Sequence, residues 1–320
     1  MNNTKGLTPK PFKEWFLPEK DGHTVAVYEY GNPDGAAVLV SHGGPGDKSK
    51  PKHVTGFDLS CTHVITFDQR GCGKSLPAGK TDHNTTQDTI ADMERIRETL
   101  GLDSWYVSGG SWGSTLSLVY AQSNPRRVKG LMLTSIFLAD IASEDWAFAK
   151  TGGAEALFPD AWQHREDFFK KYQTSSQGYA KKLLALLKDA QDQQTRIITA
   201  GILNWESNLM TYETDLTYYS PDDIVDGDVN TVKIMLHYES NNYFLTDNQI
   251  LANLQSISAI PTLIVHGRYD ILCPIKQAWQ IHQNIQNSEL VILPSSGHRL
   301  TAEGSLARGL AYQKFLISNN

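Results

Sequence analysis

The pentapeptide Gly109-Gly110-Ser111-Trp112-Gly113 fits G-x-S-x-G. In that pattern a serine rides a sharp strand-to-helix turn with its Oγ exposed, and the flanking glycines keep Cβ atoms out of the tight backbone. The helix that follows aims its N-terminal dipole at the nucleophile and the developing oxyanion. A serine hydroxyl needs a base, and the base needs an orienting acid. Asp270 closes His266-Gly267-Arg268-Tyr269-Asp270, and His298 closes Ser295-Ser296-Gly297-His298. The chain order Ser111, Asp270, His298 is the order that G-x-S-x-G hydrolases use. His42-Gly43-Gly44-Pro45-Gly46 is a second glycine turn, of the kind that supplies an oxyanion-hole N–H. The N–H groups of Trp112 and Gly44 are expected to hold the oxyanion, with Gly43 as the alternative to Gly44. His42 and His266 read as structural. The implied chemistry is acyl transfer. His298 takes the Ser111 proton, Ser111 attacks a carbonyl carbon, His298 protonates the leaving group, and water releases the acyl group. This needs no metal and no cofactor.

Such groups must sit at the C-terminal ends of parallel strands, where open α/β sheets place their sites. The sequence predicts strands at Val25–Tyr30, Ala36–Ser41, His63–Phe67, Trp105–Ser108 and Val128–Leu133, with helices at Asn84–Leu100 and Ser114–Ser123 between them. Pro261–Val265 and Leu290–Leu293 resume the strands, with helices at Pro274–Ile285 and Ala302–Phe315. Between these halves the strand pattern stops. Lys181–Ala190, Gln194–Asn208 and Asn230–Tyr238 read as helices, among frequent aromatics such as Trp146, Trp162, Trp205, Tyr212 and Tyr243. The expected architecture is α/β, a mostly parallel doubly wound sheet with an inserted helical cap, which is the α/β-hydrolase fold. Residues 1–138 and 246–320 form the core in this reading, and residues 139–245 the cap.

Composition narrows the class. With 320 residues and 40% hydrophobic side chains, the chain can bury a sizeable core. A net charge of −6 lacks the basic surplus of a nucleic-acid binder. Three cysteines, Cys61, Cys72 and Cys273, form neither a disulfide framework nor a cysteine zinc site. Met1–Lys20 is polar, without the apolar stretch of a secretory signal, and no run approaches the ~18 apolar residues of a membrane span. The expectation is a soluble, cytoplasmic protein that binds neither nucleic acid nor membrane. Its oligomeric state is open.

With these residues in place, the chain resembles the proline iminopeptidases. The resemblance runs through His42–Gly46 (HGGPG), Asp68–Ser75 (DQRGCGKS), Asn84–Thr86 (NTT), Gly109–Leu116 (GGSWGSTL), His266–Pro274 (HGRYDILCP) and Ser296–His298. It implies release of an N-terminal proline from short peptides, without a cofactor, under a helical cap that encloses the residue. Two cap glutamates bind the substrate amine in that family. The matching residues are Glu206, after Trp205, and Glu239, ahead of Tyr243-Phe244. Phe137 and Phe244 match pocket positions, and Phe148 is a further candidate. Two positions depart from the family pattern. Thr134 stands where a long cation is usual, and Glu239 lies one residue further from its Tyr-Phe pair; both bear on how strictly proline is preferred. Cys273, three residues after Asp270, reads as a small buried hydrophobe beside the site. A broader aminopeptidase, amidase or esterase on the same fold is the alternative.

Overall fold

The computed structural model describes residues 8–175, 178–210 and 218–319, which leaves Tyr212 outside the described residues. Strands β1 (Lys13–Phe16), β2 (Ala26–Gly31), β3 (Ala36–Ser41) and β4 (Thr62–Phe67) come first. Then follow helix α1 (Thr86–Thr99), strand β5 (Trp105–Ser111), helix α2 (Trp112–Ser123) and strand β6 (Val128–Ile136). Helices α3 (Ile141–Phe148), α4 (Gly153–Leu157), α5 (Pro159–Lys171), α6 (Tyr179–Leu184), α7 (Gln193–Met210) and α8 (Asp226–Glu239) lie between β6 and the next strand, as does α9 (Gln249–Ala252). The chain closes with β7 (Thr262–Gly267), α10 (Ile275–Asn284), β8 (Ser288–Leu293) and α11 (Ala302–Asn319).

Among the described residues the strands form one sheet, in the order β1-β2-β4-β3-β5-β6-β7-β8. The β1–β2 and β2–β4 pairs are antiparallel and the others parallel. The central strands are apolar runs because helices cover both faces; β4 is buried along its whole length. Helix α1 starts at the Thr85 N-cap, whose Oγ1 accepts from Asp88 N while Asp88 reaches back, and it ends before Gly101 at φ 67°. Helix α2 is buried over nearly its whole length, with small residues such as Ser114, Thr115 and Ser117 admitting the neighbouring backbone. None of the described helices is long and apolar enough to cross a membrane.

The helices between β6 and β7 have apolar clusters of their own. Ile198 and Ile202 of α7 pack with Phe169, Leu183, Val232 and Met235. Trp205 and Leu209 of the same helix pack with Trp162 and Ala147. Helix α8 faces two ways. Val232, Met235 and Leu236 serve the helical cluster, whereas Ile234 and Tyr238 join the core beneath the sheet.

Three differences from the sequence reading have physical causes. Strand β1 escaped because Lys13-Glu14-Trp15-Phe16 is mostly exposed and held by edge pairing to β2, so it lacks a buried alternation. The helix expected at Lys181–Ala190 stops at Leu184. The next residues turn instead to cap α7: Lys188 N donates to Thr195 Oγ1, and Asp192 Oδ1 accepts from Thr195 N. Helices α3 and α5 did carry start signals, the Asp140 N-cap and Pro159 at the first turn, which the sequence reading passed over.

Candidate active site

Strand β5 runs into α2 through Ser111, whose backbone sits at φ 56°, ψ −132°. That conformation is strained for a residue with a Cβ. Both outer glycines are required by contact. A Cβ on Gly109 would lie 2.1 Å from the Gly113 carbonyl oxygen, and one on Gly113 would lie 2.3 Å from that of Ser41. The turn therefore presents Ser111 beside the end of β3, where the His42–Gly46 loop begins. Gly43 packs on the serine, since a Cβ there would meet Ser111 Cβ at 3.4 Å. Gly44 follows at φ 114°.

Strand β7 delivers Asp270 and the segment after β8 delivers His298. They meet because Gly267 has no side chain; a Cβ there would lie 2.5 Å from the carbonyl oxygens of Ser296 and Gly297. The Tyr269 amide donates to Ser296 O at 3.0 Å and fastens the two loops. His298 Nδ1 lies 3.0 Å from both Asp270 oxygens, and the Cys273 amide donates to Oδ1 at 2.8 Å. Burial works against the Asp270 charge, but His298 and the Cys273 amide hold its carboxyl below the usual value. With Nδ1–H given to Asp270, Nε2 is the basic nitrogen of His298. Cys273 completes the group. Its thiol lies within 4.8 Å of the Asp270 and His298 ligand atoms. Burial pushes that thiol well up, so it is a neutral group.

His42 and His266, the other histidines at these strand ends, each face a backbone carbonyl. His42 Nδ1 faces Gly43 O at 2.8 Å, and its Nε2 accepts from the Gln69 amide. Burial lowers its pKa and keeps it neutral. His266 faces Gly267 O, while its Nε2 is buried without a partner.

Gln69, in the Asp68–Ser75 motif, had no role assigned from sequence. Its Nε2 donates to His42 O at 2.9 Å, and its Oε1 accepts from Trp112 Nε1 at 2.9 Å. One buried amide thus spans the glycine loop and the residue after Ser111, the two expected sources of oxyanion N–H groups. Gln69→Leu is expected to lower kcat by about 10–100-fold with KM within threefold, since sub-ångström misplacement of such donors is costly. An unchanged kcat, or a loss carried by KM, would assign Gln69 to the fold alone.

Glu206 on α7 and Glu239 at the end of α8 line one narrow cavity together. Burial first, then a neighbouring carboxylate, pushes each up to about 8; the neighbour is Glu144 for Glu206 and Glu206 for Glu239. Phe137 stands at the end of β6 with its ring edge-on to Tyr243 at 5.2 Å, and Tyr243 lies 5.6 Å from the Trp112 ring. The structure does not bring Phe244 into this group. Its ring packs on His237 and Tyr238. Asn242, Tyr243 and Phe244 all have φ near +50°, and this left-handed run turns Tyr243, not Phe244, towards Trp112. Phe148 lines a narrow cavity with Arg165, Tyr179, Trp205, Glu206 and Glu239.

The Asn84–Thr86 motif explains how the end of α8 is held. Asn84 Nδ2 donates to Arg70 O, its Oδ1 accepts from Tyr238 Oη at 3.0 Å, and Thr86 Oγ1 donates to Tyr243 O. Thr231 Oγ1 donates to Gly46 O at 2.9 Å, so α8 also grips the glycine loop.

The family model described as alpha/beta hydrolase fold matches residues 36–304. A Leptolyngbya boryana protein named "Probable proline iminopeptidase" is 38% identical over 93% of this chain and 92% of its own. The proline iminopeptidase of Arabidopsis thaliana is 36% identical over 92% of this chain and 77% of its own. The chain belongs to the proline iminopeptidase family. It is therefore an enzyme of the hydrolase class. A haloalkane dehalogenase variant from Bradyrhizobium elkanii superposes with a TM-score of 0.65 at 18% identity, covering 96% of each chain; this likeness concerns the fold. Proline iminopeptidases thus share a scaffold with hydrolases of other chemistry, and what sets members apart lies in the site and its cover.

Proposed function

We propose that the chain releases N-terminal proline from short peptides, through an acyl-enzyme on Ser111 with His298 as base and Asp270 as its orienting acid. The reading rests on one observation above all: Glu206 and Glu239 line one narrow cavity, where burial makes a carboxylate costly without a cation. A peptide's N-terminal ammonium is such a cation, and a mid-chain segment carries none. The helices of residues 139–245 would then act as a cap that admits one residue past the nucleophile. Trp112 N–H and a Gly43 or Gly44 N–H would take the oxyanion. Relatives that carry the name proline iminopeptidase over nearly the whole chain support the same substrate.

A panel of aminoacyl-naphthylamides tests this. Prolyl-naphthylamide is expected to turn over, and its N-acetyl form at least 100-fold more slowly, because acetylation removes the cation. Equal rates for the two would favour an amidase or esterase without amine recognition.

A further inference from the structure

A third carboxylate close to Glu206 and Glu239 is used by neither the sequence motifs nor the proposed mechanism. Glu144 projects from α3, and α3 is fixed on both sides. Trp146 Nε1 donates to Ile271 O, next to Asp270, at 2.7 Å, and the Ile141 amide donates to Asp247 Oδ1 at 3.0 Å. Tyr243 Oη donates to Glu144 Oε1 at 2.7 Å. Tyr243 is the ring over Trp112 and Phe137, so Glu144 is tied to the residues flanking the nucleophile. Glu144 lies in the field of Glu239 and Glu206 in its, and all three are half-buried. Cys273, beside Asp270 and His298, lies in the field of both Glu206 and Glu144. Two further atoms lack partners: Glu239 Oε2 and Arg165 Nη2 are buried without a hydrogen bond. Arg165 is 5% exposed and caged by aromatic rings, Phe169 at 4.5 Å and Trp162 at 4.8 Å among them.

Donor counting gives this cluster a meaning. A prolyl nitrogen, as a secondary ammonium, has two N–H donors. A primary ammonium has three, like a lysine head. Two carboxylates serve the first; a third acceptor has no prolyl N–H left to serve. Arg165 offsets part of the charge on Glu144 and Glu239, and a substrate ammonium would offset part of the remainder.

We infer that Glu144, held by Tyr243, is a third carboxylate of the amine pocket and a specificity-determining residue that admits primary-amine N-termini such as alanine alongside proline. This rests on the proposed aminopeptidase reading. The test compares kcat/KM for prolyl- and alanyl-naphthylamide in the wild type and Glu144→Gln. The wild type is expected to cleave the alanyl substrate within about 100-fold of the prolyl one. Glu144→Gln is expected to lower the alanyl value at least tenfold more than the prolyl value, as loss of a charged hydrogen bond would. A Pro:Ala ratio that moves less than twofold would reduce Glu144 to a structural partner of Tyr243. A wild type that cleaves only the prolyl substrate would also overturn the inference while leaving the aminopeptidase reading intact; a wild type that cleaves neither would sink that reading itself. A second measurement needs no variant. Alaninamide should inhibit the wild type with an affinity within tenfold of prolinamide, and a gap beyond 100-fold would count against a third acceptor.

Discussion

Ser111→Ala is expected to lower kcat on prolyl-naphthylamide by roughly a millionfold, the scale of nucleophile loss in serine hydrolases. Folding should be unaffected. Alanine keeps the Cβ and therefore the same strained backbone at φ 56°. Neighbouring nucleophiles offer no rescue, because burial holds the adjacent Cys273 thiol neutral. Ser111→Gly separates strain from chemistry. It should be equally inactive yet more stable by about 1 kcal/mol, since glycine relaxes at positive φ. The measurements are single-turnover kinetics, labelling by a fluorophosphonate, and thermal melts. An alanine variant that kept a hundredth of the wild-type rate would remove Ser111 from the mechanism.

The second large effect falls on Glu206. Glu206→Gln keeps the shape and removes the charge. We expect kcat/KM for prolyl-naphthylamide to fall roughly 100- to 1,000-fold, the range for losing one partner of a desolvated charge pair. An uncharged ester such as p-nitrophenyl acetate, which brings no amine, should change less than threefold. Equal losses on both would mean that Glu206 supports the triad and not the amine. The same substitution has a signature in stability. Burial raises the folded-state pKa of Glu206 to about 8 from an ordinary value of 4.5. A raised carboxyl pKa favours the protonated fold, so its contribution is intact below about 4.5 and is lost as pH climbs through 8. The glutamine variant escapes that loss. It should melt with the wild type near pH 4.5 and above it at pH 8 and beyond. A constant difference across that range would show that Glu206 does not carry the shift.

The nucleophile turn was legible because its chemistry leaves little choice of residue. A Cβ on Gly109 or Gly113 would lie under 2.5 Å from a backbone oxygen, so the motif is a steric necessity visible as letters. Asp270 and His298 were legible from chain order and from strand ends, and the structure brings them together through a single small residue, Gly267. The pocket was less so. Nothing in Ile141–Phe148 marks Glu144 as inward, because the helix has little amphipathic contrast and its orientation is set by Trp146 and the Asp140 cap. Tyr243 and Phe244 are adjacent, and only the left-handed run through Asn242–Phe244 decides which ring faces Trp112. Gln69 sat inside a quoted motif, but its task depends on two loops more than 25 residues away on either side, contacts that no local pattern reports.

Helix α8 has a bearing on engineering. Its Thr231 holds the glycine loop, its Tyr238 holds Asn84, and its end carries Glu239. The helical stretch between β6 and β7 is for that reason not an interchangeable module. A chimera that imported it from another hydrolase would unfasten the loop beside Ser111. Libraries meant to retune the accepted residue would do better to vary α3, α5 and α7 and to leave α8 as part of the chassis.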